Sequence, residues 1–119
     1  MKFYEAYLKA RESAMRFHSF RMLKIYLMKF NQYLETFSIS MEGFSKEDLH
    51  RYLDWVVNVN FEKNENLNGH WFKCNINHVM LFIAWLNKQG TFKIAVDNTD
   101  REELLSSIMQ KMRAVRING

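Results

Sequence analysis

Apolar positions recur through most of the chain at spacings of three and four, the period of one face of an α-helix. Phe3, Tyr7, Ala10, Ala14 and Phe17 form such a stripe and predict a first amphipathic helix over Met1–Phe17. His18-Ser19 interrupts the phase, and Ser19 suits the cap of a second helix. That helix carries the cleanest seam, Phe20, Leu23, Leu27, Phe30, Leu34 and Phe37, widened by Tyr26 and Tyr33. Ser45 and Asp48 then make a capping box, with Phe44 placed to staple onto Leu49. They open a third helix that runs to about Val59 and buries Leu49, Tyr52, Leu53, Val56 and Val57. Asn58–Gly69, with five Asn and one Gly, predicts a loop, after which Trp71 and Phe72 re-enter the core.

The most apolar stretch follows. Val79-Met80-Leu81-Phe82-Ile83-Ala84-Trp85-Leu86 is eight apolar residues in a row, too many for one helix face. Asn75 or Asn77 as cap, Lys88 in the last turn and Gly90 as the left-handed closing residue predict a helix over Asn75–Gln89. A helix apolar all round is covered on several sides, so this one is expected at the centre. Phe92, Ile94 and Val96 alternate as a short extended segment would. Thr99 and Glu102 form a second box for a helix with Leu104, Leu105, Ile108, Met112 and Val115 on one face. The fold class expected is all-α, four or five helices in one domain over 1–119.

Composition agrees with that class. Absence of Pro, only four Gly among 119 residues and 48% apolar residues favour long packed helices over disorder or a many-stranded sheet. No apolar run approaches the roughly eighteen residues of a membrane span. Charges near the N-terminus argue against a signal peptide, and a lone Cys74 fits a reducing cytosol, so a cytoplasmic location is expected. The net charge of +4 is spread unevenly: residues 1–34 carry seven Lys or Arg against two Glu. Residues 35–70 are net acidic, with three against seven. A basic N-terminal third suits a polyanion, although an ordinary solvated helix face would look the same.

Catalytic chemistry has little to stand on. The four Gly are scattered, with no phosphate-cradling loop. His70 and Cys74 stand four apart, but a metal site needs three or four ligands. Cys74 has no base and orienting group nearby to make it a nucleophile. No cofactor is expected, and the chain reads as a non-enzyme.

Three passages resemble the core-binding, SAM-like N-terminal domain of tyrosine recombinases and phage integrases. Ser19-Phe20-Arg21-Met22-Leu23-Lys24-Ile25-Tyr26 is similar to the family's opening helix, although Met22 stands where the family often has Thr. Phe44-Ser45-Lys46-Glu47-Asp48-Leu49 with Tyr52-Leu53 is similar to its capped second helix. Ile83-Ala84-Trp85-Leu86-Asn87-Lys88-Gln89-Gly90 is similar to the end of its last helix. The resemblance spans 19–90, leaving 91–119 as a C-terminal extension, and implies a compact orthogonal bundle that binds double-stranded DNA. The family's catalytic Arg, His and Tyr set has no room in the twenty-nine residues after Gly90, so the chain is expected to be non-catalytic alone, and could be a piece of an integrase.

Two groups of residues are candidates for DNA contact. Arg11, Arg16, His18, Arg21 and Lys24 gather at the junction of the first two helices, where cations would neutralise phosphates. Lys73, Asn75, Asn77 and His78 head the central helix, where an Asn could read an adenine edge or serve only as a cap. The rival expectation is a small helical interaction or regulatory protein, phage- or mobile-element-encoded, whose partner is another protein or a second copy of itself.

Overall fold

A computed structural model describes the backbone of residues 2–63, 69–90 and 92–118, and the side chains of 4–59, 69–90 and 92–113. The chain is all-α. Its helices are α1 (Lys2–Glu12), α2 (Phe17–Thr36), α3 (Lys46–Lys63), α4 (Gly69–Lys88) and α5 (Asn98–Asn118), with a 3-10 turn over Met41–Gly43. No strand occurs among the described residues, and 92–97 runs without regular structure. The backbone of Ile94 is instead held on both sides by one amide: Asn87 Nδ2 donates to its carbonyl at 2.9 Å, and its N–H donates to Asn87 Oδ1 at 2.8 Å.

Helices α2 and α5 each lie against both α3 and α4, and α1 lies across α2 and α4. The shared interior is the predicted one except at the two ends of the α2 seam, where Phe20 is only half-buried and Phe37, beyond the last turn of the helix, is 53% exposed. Leu23, Leu27, Phe30 and Leu34 of α2 meet Leu49, Tyr52, Leu53 and Val56 of α3. Phe72, Ile76, Val79, Phe82, Ile83 and Leu86 come from α4, and Leu104, Ile108 and Met112 from α5. Phe30 is its hub: its ring stands nearly edge-on to Phe44, Tyr52 and Phe82 at centroid distances of 5.5, 5.1 and 6.5 Å. Tyr7 ties α1 down, packing on Phe82 at 5.2 Å and Trp85 at 5.4 Å.

The helix ends show which local signals decided. At α3 the box forms as the sequence predicts: Ser45 N–H donates to Asp48 Oδ2 at 3.0 Å, Asp48 N–H to Ser45 Oγ at 3.4 Å, and Phe44 and Leu49 are both buried. Gly90 adopts φ +76 and closes α4, its N–H donating to Asn87 O at 3.1 Å. α2 ends in a Schellman motif whose left-handed residue is Ser38, at φ 52. Ser38 N–H donates to Glu35 O at 3.3 Å and Ile39 N–H to Leu34 O at 2.9 Å.

Other boundaries differ from expectation. The break between α1 and α2 falls at 13–16, ahead of His18-Ser19, with Arg16 extended at φ −67, ψ 152 as the residue before α2. Phe17 therefore opens α2 and is 83% exposed; Ala10 and Ala14 are exposed too. The buried side of α1 is Tyr7 flanked by Tyr4 and Leu8. α3 continues to Lys63, and α4 begins at Gly69, six residues before Asn75. Of the predicted 58–69 loop, 64–68 lies outside the described residues, as do the side chains of Phe3 and Val115. α4 is not covered all round, since Leu81 is 57% exposed, although Val79, Phe82, Ile83 and Leu86 are fully enclosed as expected. The box of α5 is Asp97 with Asp100, two residues before Thr99 and Glu102: Asp97 N–H donates to Asp100 Oδ2 at 2.9 Å and Asp100 N–H to Asp97 Oδ1 at 3.1 Å.

Candidate nucleic-acid interface

The first candidate group lies where α1 hands over to α2. Arg11 is in the last turn of α1, Arg16 immediately precedes α2, and His18, Arg21 and Lys24 occupy its first two turns. All five are exposed. From Ser13 to Leu34 the sequence contains no Asp or Glu, and among the described residues none of the five is in an ion pair. The first turn of α2 has no acidic residue, and its cap residue, Arg16, makes no side-chain hydrogen bond to the helix start. The positive end of the helix dipole thus adds to the positive side chains. Lys24 folds its ammonium over the Phe20 ring, 5.3 Å from the centroid.

The second group divides. Lys73 is exposed on α4. Asn75 is neither a cap nor a base reader: it is fully buried in mid-helix, where its Oδ1 accepts from the Tyr52 hydroxyl of α3 at 2.7 Å. Asn77 is half-buried and accepts from Arg101 Nε of α5 at 2.5 Å, which holds its amide in an intramolecular contact. Both corrections share a cause: α4 starts earlier than the capping pattern suggests, so these amides fall inside the helix and meet neighbouring helices. Arg101, which sequence reasoning passed over, stands with Asn77 and His78 beside a groove of ≈ 750 Å³ between α4 and the start of α5. A lone Arg in the first turn of an acidic helix start carries no sequence signal for such a position.

His78 joins the two groups. Its ring stacks on Tyr26 of α2 at 5.3 Å and 17°, and Tyr26 stands edge-on to Trp71 at 5.4 Å. Burial lowers the His78 pKa below its ordinary value, and the positive charge of Arg11 lowers it further. Burial, reinforced by Cys74, pushes the Tyr26 phenol up to about 12. Near neutral pH the stack of buried Tyr26 and half-buried His78 is therefore uncharged, and the positive charge of the corner belongs to its Arg and Lys side chains.

Cys74 Sγ lies 3.5 Å from His70 Nε2. Among the described residues no three His, Cys, Asp or Glu side chains are placed to hold a metal ion. No helix of the described residues is long and apolar enough to cross a membrane. No protein-family model, curated protein or solved structure matches the chain.

Proposed function

We propose that the chain is a DNA-binding helical domain of the tyrosine recombinase or integrase type, non-catalytic on its own, which holds duplex DNA at the α1–α2 corner. One observation carries the reading: Arg11, Arg16, His18, Arg21 and Lys24 are all exposed, and residues 13–34 hold no acid. Lys73 is a further phosphate ligand on α4. With Asn75 buried and Asn77 held by Arg101, base reading from α4 drops out. Binding then rests on phosphate contacts, which give affinity with little sequence preference. The expected affinity is micromolar or weaker, since non-specific sites bind at roughly 10⁻⁴–10⁻⁶ M at physiological salt.

The test is a titration of duplex DNA at several salt concentrations, with wild type and with Arg16, Arg21 and Lys24 all replaced by Ala. The triple variant should bind more weakly to every sequence, with the salt slope reduced by about 0.9 for each phosphate that is no longer neutralised. Absence of binding at low salt, or binding indifferent to the triple substitution, refutes the reading. A protein partner is the second reading, under which the separately exposed Leu81 of α4 and Met109 of α5, at 57% and 55%, are the contact residues. Under that reading, charged substitutions at Leu81 and Met109 abolish complex formation while the triple cation variant leaves it intact.

A further inference from the structure

Phe17 is the most exposed large apolar side chain among the described residues, at 83%. Covering a Phe ordinarily stabilises a fold, and this fold leaves Phe17 uncovered. Its surroundings are cationic. Arg16 and His18 flank it in sequence, and Arg21 and Lys24 follow at spacings of four and seven on the same helix face. By the rise of an α-helix, those two lie about 6 and 10 Å further along the axis. Side chains lean toward the N-terminus of their helix, so a Phe at the first position of α2 projects past the helix end.

A single flat apolar group among cations selects its partner. A membrane-surface helix needs a broad apolar face, and a partner helix needs a seam at three and four; beyond Phe17 the face carries the half-buried Phe20, with the Lys24 ammonium over its ring, and then exposed Arg21 and Lys24, so neither is built here. A base-pair step offers a flat apolar slot the width of one ring, bordered on both sides by phosphates. We infer that Phe17 is a wedge that enters duplex DNA between base pairs and kinks it, while Arg16, Arg21 and Lys24 hold the flanking phosphates. The inference rests on the DNA-binding reading and adds to it the source of affinity that phosphate contacts do not supply. Unstacking one step costs energy that the bent DNA returns by wrapping more of the positive corner.

The test uses a short duplex carrying a donor and acceptor dye at its ends and 2-aminopurine at interior steps. Wild type should shorten the end-to-end distance and raise the 2-aminopurine fluorescence. Phe17→Ala should weaken binding roughly tenfold, as loss of a base-stacking aromatic does, abolish both signals and leave the salt slope unchanged. Phe17→Trp should restore them. The exposed position makes these substitutions harmless to the fold, which circular dichroism and thermal melting confirm in parallel. If Phe17→Ala binds and bends DNA as wild type does, the wedge is refuted while the DNA reading stands. If wild type does not bind duplex at low salt, the DNA reading itself falls. Binding to anionic vesicles or an acidic protein that depends on Phe17, without DNA binding, overturns both.

Discussion

Removal of the Tyr52 hydroxyl tests how the interior is held. Tyr52 and Asn75 are both fully enclosed, and the Tyr52 hydroxyl donates to Asn75 Oδ1 at 2.7 Å. Asn75 Nδ2 has no partner among the described residues. Tyr52→Phe leaves the carbonyl oxygen buried and unpaired as well, at a cost of about 1–3 kcal/mol. Asn75→Leu strands the Tyr52 hydroxyl but also removes the unpaired Nδ2, so its cost falls toward the lower end of that range. In the double variant both polar groups are gone and the volume is nearly kept. It should be close to wild type, giving a coupling of at least about 1 kcal/mol. Urea unfolding followed by tryptophan fluorescence resolves this, because a loss of about 2 kcal/mol moves the midpoint by roughly 1 M at a typical slope. A double variant as unstable as the two single losses summed refutes the reasoning.

Three further outcomes follow from local geometry. Ser38→Gly should stabilise by roughly 1 kcal/mol, since Ser38 holds the left-handed position that ends α2 at φ 52; a lower melting temperature contradicts this. Ser45→Ala should cost about 0.5–2 kcal/mol by opening the cap of α3, measured as a shift in the unfolding midpoint. The folded His78 pKa is depressed while the unfolded chain takes up its proton near 6.5, so the unfolded state binds more protons between those values. Stability is fully present above pH 6.5 and falls as pH drops toward the folded pKa. His78→Phe should flatten that window in unfolding curves, and Arg11→Ala should raise the pKa of His78 as read by NMR titration.

The seams of α2 and α3 were legible because a single apolar face was buried against the rest of the chain. Boundaries were legible only where a capping side chain or a left-handed glycine announced them. The Ser45–Asp48 box and Gly90 did so. The α1–α2 break did not, because Arg16 turns the chain with no capping hydroxyl, so Phe17 looked like core. Near α5, two overlapping pairs fit the capping pattern, and the earlier one, Asp97 with Asp100, formed. Of the candidate site, the cations could be read as exposed from their position off the seams. The roles of Asn75 and Asn77 could not, because their partners stand 23 and 24 residues away in sequence. An Asn near the head of an apolar run satisfies the pattern of a cap whether or not the helix has already begun.

The two capping boxes also bear on the order in which the molecule assembles. They start α3 and α5, helices that pack on each other, while α2 begins with no side-chain cap. A capped first turn lowers the cost of helix nucleation before any distant contact forms. α3 and α5 are therefore expected to carry the structured part of the folding transition state, with the α1–α2 corner condensing onto it afterwards. Substitutions at Leu53 and Leu104 should then slow folding, and those at Leu23 should chiefly speed unfolding, in stopped-flow kinetics. The cationic corner would be the last region to fold and the first to loosen, and any ligand held there would slow unfolding of the whole chain.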